Sequence, residues 1–392
     1  MNNFSLYVHI PFCESKCYYC DFNSGTFSQS VVEKYFRALK NEIKTYNYKG
    51  EISSIYFGGG TPSCVNSKYI TDTLKLIKKN FKVKASAEIT IEANPNSLSF
   101  QKLKDYFDAG FNRLSLGVQT TNKKSLKYVG RIVDEYKLKN YKKTIKKSLK
   151  NAKKIGFSNI SADLMLGLPY NNLKKIKSDI KFLTKYCEHI SIYMLTIYEN
   201  TKLNLLNIDQ SKLDEKLVLE YDFICNYLKK FGFAQYEVSN FAKNQKVSAH
   251  NYNYWTGGEY LGFGISAHSH VNPIRFYNTA NIKKYINFYK NSVKINKKDE
   301  NLLKNQAKIE KIKKCEKITK KKYAEEKIML ALRTKDGLDL IEFKRNFYDL
   351  TKAKREELIM LKNLDLITAT DEKIVLTKKG LLVANQIILK LI

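Results

Sequence analysis

Cysteines at positions 13, 17 and 20 fall within eight residues in "HIPFCESKCYYCDF" (9–22), separated by three and then two residues. Thiolates bind zinc and iron–sulfur clusters, and thiol pairs close disulfides. Zinc sites usually take four ligands in paired spacings. No second closely spaced cysteine pair follows, and His9 is a weak match for a fourth ligand. A disulfide framework needs pairs and an oxidising compartment. Seven cysteines is an odd number, and Cys64, Cys187, Cys225 and Cys315 stand alone. A four-iron cube held by three thiolates accounts for the number directly and leaves one iron open to a small molecule.

A second motif, "GGGTP" (58–62), lacks side chains where a backbone could approach a ligand, although three glycines can also serve a tight turn. Both motifs follow short apolar runs: 6–10, 53–57, 87–93, 112–118, 160–166 and 189–195. Helix-like stretches near 31–44, 66–80, 98–108, 137–155 and 173–185 lie between them. Six strands joined by helices predict parallel pairing. The expected fold is α/β, a partial (β/α)6 barrel, with a doubly wound sheet as the alternative. Barrel chemistry sits just past the C-terminal ends of strands, where both motifs fall.

The expected organisation is a barrel core over 1–200, an extension over 201–291 carrying "HNYNYW" (250–255), a lysine-rich connector over 292–322, and a C-terminal domain over 323–392. In that last segment a helix from Ala324, helices near 340–348 and 351–363, a hairpin in "LITATDEKIVLT" and a closing helix resemble an α+β winged-helix arrangement.

The net charge of +31 invites a nucleic-acid reading. Only seven of the 69 basic residues are arginine, the better reader of bases, and the lysines are spread over the whole chain. A solvated lysine surface without a specific nucleic-acid partner is expected. No apolar run is long enough to span a bilayer. The N-terminus lacks the marks of a signal peptide, so a cytoplasmic location is expected, with peripheral membrane association left open.

The segments "YVHIPFCESKCYYCDF", "FGGGTPS", "IEANP", "NRLSLGVQ", "DLMLGLP" and "HNYNYW" together resemble the oxygen-independent coproporphyrinogen III oxidase-like family of the radical S-adenosylmethionine (SAM) superfamily. The resemblance covers nearly the whole chain. It implies a [4Fe–4S] cluster on Cys13, Cys17 and Cys20. It further implies SAM-side roles for Tyr7, Gly59, Gly60, Thr61, Glu92, Gln119, Arg131, Asp163, Met194 and His268. Where the family shows Arg-x-His, this chain has Arg131-Ile132-Val133.

The oxidase branch carries a fourth cysteine where this chain has Phe22, and a longer segment before its cluster. Three cysteines followed by Asp21-Phe22, with "HNYNYW", resemble the heme-chaperone (HemW-like) branch. That branch implies heme as a bound group and an acceptor hemoprotein, of respiratory type, as partner. It also implies His250 in heme binding, in keeping with imidazole as an axial iron ligand and Tyr252, Tyr254 and Trp255 as flat apolar faces. His268 and His270 are the alternative ligands. A radical SAM oxidase that decarboxylates the propionates of coproporphyrinogen III is the competing function.

Overall fold

Six strands alternate an apolar residue with a polar or small one, and that alternation decides which way each side chain points. They are β1 (Phe4–Ile10), β2 (Glu51–Gly59), β3 (Lys82–Ala93), β4 (Arg113–Gln119), β5 (Asn159–Leu166) and β6 (His189–Met194). The computed structural model describes residues 4–206, 208–291 and 313–392. In it these strands pair in parallel and in sequence order, linked by helices. A doubly wound sheet would reverse its order partway. None of these six does, so the partial barrel is the observed solution.

The outward set is the apolar one. Phe4, Leu6, Val8 and Ile10 on β1 and Ile89 and Ile91 on β3 are buried, as are Leu114 and Leu116 on β4 and Ile160 and Leu164 on β5. The helices cover them: α1 (Gln29–Ile43), α2 (Ser67–Asn80), α3 (Phe100–Ala109), α4 (Lys123–Tyr128), α5 (Glu135–Ile155) and α6 (Leu173–Leu183). α5 shows how the charge is accommodated. Leu138, Tyr141, Ile145, Leu149 and Ala152 form its buried stripe, and most of its lysines lie on the exposed face. Side chains of Asn66, Ser99 and Asp134 accept backbone N–H bonds at the starts of α2, α3 and α5.

The inward set is polar. Registers align Ser5 with Ser54 and Tyr7 with Tyr56 across β1 and β2, then Glu92 with Ser115, Ser161 with His189, and Asp163 with Ser191. A lumen filled with hydroxyls, carboxylates and imidazoles costs packing energy, and hydrogen bonds among these groups offset it.

The sheet continues past both edges of the barrel. On one side β9 (Tyr260–Phe263) pairs with β1, followed by β10 (His268–Val271), β11 (Ile274–Asn278) and β12 (Lys313–Lys317). On the other, β8 (Asn240–Ala242) and β7 (Ala234–Gln235) follow β6. Glu42, buried in α1, ties the first extension down. It accepts from the Gly264 N–H, the Asn278 amide and the Tyr285 hydroxyl at 2.8, 2.8 and 2.6 Å.

Residues 292–312 of the expected connector lie outside the described residues. The rest of it is not a connector, because β12 is a sheet strand and the helix Lys320–Ala331 begins before Ala324. The C-terminal domain has its own apolar core, helices and a three-stranded sheet, as a winged-helix-like domain should. Two expected helices are interrupted, at Lys354 and at Val383. The domain docks through the Val238 N–H to the Arg333 carbonyl at 2.9 Å and the Lys335 N–H to the Tyr236 carbonyl at 3.0 Å.

Candidate functional site

The cysteine loop leaves β1 at Ile10 and is braced from several sides before it can present sulfur. The Cys13 N–H donates to the Gly25 carbonyl and the Gly25 N–H to that of Pro11, both at 2.9 Å. The Tyr18 N–H donates to Val129 at 2.9 Å, and the Cys20 N–H closes a turn on Cys17 at 3.2 Å. Cys13, Cys17 and Cys20 are free thiols lining one cavity of about 540 Å³ at the C-terminal ends of the strands. Burial raises the Cys13 thiol pKa, offset in part by hydrogen bonding from Thr61. A bound metal reverses such a preference by holding the thiolate directly.

Gly59, Gly60 and Thr61 form the adjoining wall. A Cβ on Gly60 would lie 2.7 Å from the Phe12 carbonyl oxygen and 3.0 Å from the Cys13 sulfur, so only glycine lets β2 approach the loop. The amides of this stretch are engaged within the protein. The Gly60 N–H donates to Ile10, the Thr61 N–H to Phe12 and the Gly59 N–H to Glu92, at 2.8, 2.7 and 3.2 Å. What the glycines offer the cavity is room.

Glu92 accepts from the Tyr56 hydroxyl at 2.7 Å, and burial pushes its pKa up to about 7, against the pull of those hydrogen bonds. Asp163 accepts from Ser115 at 3.2 Å and is likewise raised by burial. Gln119 ends β4 at φ 67°, where the β4–β5 register shifts. That irregularity brings its side chain into the cavity with the amide oxygen buried and unpartnered. Arg131 bonds the Gly117 carbonyl through Nη2 and reaches the Cys17 sulfur at 3.7 Å through Nη1, leaving Nε buried and unpartnered. Met194 completes this set.

Three expected residues lie elsewhere. Tyr7 and His268 line a second cavity, of about 610 Å³, between β9–β11 and the helix Lys320–Ala331. The Tyr7 hydroxyl is turned to His9 Nδ1 at 3.0 Å, and His268 stacks on Tyr277. His250 lines neither. It lies in the first turn of the short helix Ala249–Trp255, 1% exposed, with Nδ1 2.9 Å from the Ser54 hydroxyl and Nε2 2.8 Å from that of Tyr254. Burial, and then Arg113, hold its pKa down to about 3. Both ring nitrogens are thus engaged within the protein, and His250 braces its helix against β2 through Ser54. Tyr193 and Asn94 also line the first cavity and escaped the sequence reading. Alternation in "HISIYM" could have found Tyr193, since it shares a face with His189 and Ser191.

The Radical SAM superfamily model matches residues 7–183, and the HemN C-terminal domain model matches 318–383. Over 391 residues the chain is 32% identical to the heme chaperone HemW of Lactococcus lactis, covering 98% of this chain and 96% of that one. The chain belongs to the HemW family of radical SAM proteins. Another member, the heme chaperone HemW of Bacillus subtilis, is 37% identical over 290 residues, 72% of this chain and 75% of that one. The coproporphyrinogen III oxidase HemN of Escherichia coli, at 24% identity, shares the fold with a TM-score of 0.80 over 100% of this chain and 90% of that one. Among the described residues of this HemW-family chain, no helix is long and apolar enough to cross a membrane.

Proposed function

We propose that this protein is a heme chaperone of the radical SAM type, which binds heme and passes it to an acceptor hemoprotein, of respiratory type, in the cytoplasm. The observation that carries this reading is the end-to-end likeness to a heme chaperone, 32% identity over 98% of the chain.

The first cavity fits a cluster and SAM. Three thiols on a braced loop match a cluster that keeps one iron open, and the unpartnered Gln119 and Arg131 atoms await polar ligand groups. Cys13, Cys17 and Cys20 would hold the [4Fe–4S] cluster. Gly59, Gly60 and Thr61 would make room beside it for the methionine end of SAM, with Glu92, Gln119, Arg131, Asp163 and Met194 along the nucleoside. When bound, the cluster supplies a Lewis-acidic iron and one-electron chemistry. The protein's part is to orient SAM. Gln119 supplies an amide acceptor, Arg131 a charged donor, and Glu92 a carboxyl that switches charge near pH 7.

The shared HemN fold favours a second reading, an oxidase acting on coproporphyrinogen III. One experiment separates the two. Protein reconstituted anaerobically is titrated with heme, mixed with an apo-hemoprotein, and assayed in parallel for coproporphyrinogen turnover with SAM and a reductant. Heme uptake and transfer without turnover is the expected result. Turnover without heme uptake would establish the oxidase instead.

A further inference from the structure

Three of the five histidines have both ring nitrogens hydrogen-bonded. His9 bonds Tyr7 and the Asn23 carbonyl, His189 bonds Ser161 and Tyr236, and His250 bonds Ser54 and Tyr254. The other two, His268 and His270, stand two residues apart on β10 and therefore share one face of the sheet. Both line the second cavity. His270 is 4% exposed, and its Nε2 is buried with no hydrogen-bond partner among the described residues. A buried imidazole nitrogen left unpaired costs stability unless a ligand completes it.

The surroundings specify the ligand's shape. Tyr260 lies opposite His270 on β9, with the rings 6.2 Å apart, and Tyr323 faces it from the helix Lys320–Ala331 at 6.3 Å. Met329 and Leu330 extend the helix side, and Phe22 closes toward the cysteine loop. Such walls suit a flat, largely apolar molecule. The polar groups lie along the same cleft. Arg275 forks Glu326 at 2.7 and 2.9 Å, so this carboxylate is already neutralised, and Lys327 reaches the Thr256 carbonyl at 3.1 Å. Lys327 is placed to pair with a carboxylate of the ligand.

We propose that the second cavity is the heme seat and that the His268–His270 pair supplies the nitrogen ligand to the heme iron. This rests on the heme-chaperone reading and deepens it by moving the ligand from "HNYNYW" to β10. Asp21 and Phe22 line both cavities, so the loop that carries the cysteines also separates the heme from the cluster. A tetrapyrrole in this position is gripped between the sheet and the C-terminal domain, and release to an acceptor would require those two to part.

The full chain with its cluster reconstituted is titrated with hemin, read by the Soret band, and separately with iron-free protoporphyrin IX, read by fluorescence. In the double variant H268A/H270A the Soret band should shift and hemin affinity fall by about tenfold or more. Protoporphyrin, which needs no ligand to iron, should keep its affinity, and added imidazole should restore the band. The pair H268Q/H270Q, which keeps volume and polarity, should lose the ligand in the same way. Cluster iron content and thermal unfolding report that each variant is folded. A wild-type Soret band and affinity in both double variants would overturn the proposal while leaving the chaperone reading intact. Failure of the unmutated protein to take up heme would overturn that reading, and this proposal with it.

Discussion

The Arg131 guanidinium spans the gap between β4 and the cysteine loop, with Nη1 3.7 Å from the Cys17 sulfur and Nη2 on the Gly117 carbonyl. A planar fork makes both contacts at once, which a lysine ammonium does in poorer geometry. Arg131→Lys should leave cluster iron near the wild-type level and weaken SAM binding by about tenfold, the cost of one charged hydrogen bond. Equilibrium binding of SAM to the anaerobic protein checks this. Undiminished affinity would limit Arg131 to bracing the loop.

The three loop cysteines and Cys64 differ in a way that iron analysis can read. Single changes of Cys13, Cys17 or Cys20 to Ala should each remove most cluster iron and visible absorbance after reconstitution. Cys64 sits beside the glycine stretch, but burial pushes its thiol up to about 12, and it packs as a small apolar group. Cys64→Ala should keep the full iron complement, and a loss equal to that of the loop variants would make it a fourth ligand.

Gly60→Val tests how closely β2 and the loop are coupled. Because a Cβ there would press on both Phe12 and Cys13, the substitution should lower cluster iron as well as SAM binding. If iron stayed at the wild-type level while SAM was excluded, the loop would have to be more yielding than its hydrogen bonds imply.

Carboxyl burial gives a pH signature. The Glu92 pKa rises from 4.5 to about 7 in the folded chain, so between those values the folded state holds a proton that the unfolded state has lost. Its contribution to stability is therefore intact below pH 4.5 and is lost as pH rises toward 7, by up to about 1.4 kcal/mol per pH unit. His189 and His250, with lowered pKa values, act in the opposite sense at lower pH. The informative quantity is thus a difference. Glu92→Gln, which mimics the protonated form, should gain stability relative to the wild type from pH 4.5 to 7 and level off above. Parallel urea midpoints across that range would show Glu92 to be solvated.

Much of the first cavity was legible because its residues sit at strand ends, where local sequence decides position. Cys13, Gly60, Glu92 and Asp163 each follow or close an alternating strand, and parallel pairing in sequence order brings them together. Tyr7 and His268 border the second cavity because β9–β11 add to the edge of β1, and nothing local to either residue reveals which cavity that edge bounds. The second cavity was invisible for the same reason: it needs His270 and Tyr323, which lie on different elements 53 positions apart. The polar lumen is hard to see in the sequence, since outward leucines and isoleucines dominate the strand pattern. Phe22 illustrates a different limit. Its identity marks the branch, yet its place between two cavities depends on how the whole loop folds back over the sheet.

His250 supplies the sharpest contrast between motif and geometry. It stacks on Tyr56 with ring centroids 5.0 Å apart and bridges the Ser54 and Tyr254 hydroxyls, while its backbone N–H donates to Glu88 at 3.1 Å. Truncation would open a void and remove one partner from each of the Ser54 and Tyr254 hydroxyls, of which Ser54 keeps Ser5, so His250→Ala should cost about 2–4 kcal/mol of stability. His250→Gln, able to hold at least one hydroxyl, should recover part of that loss. Heme behaviour should follow the opposite order. Once each variant is folded, its Soret band and hemin affinity should match those of the wild type, because no ring nitrogen of His250 is free for iron. Urea denaturation and hemin titration on the same preparations check both halves. A shifted Soret band in a variant of undiminished stability would return the ligand to the helix that carries His250.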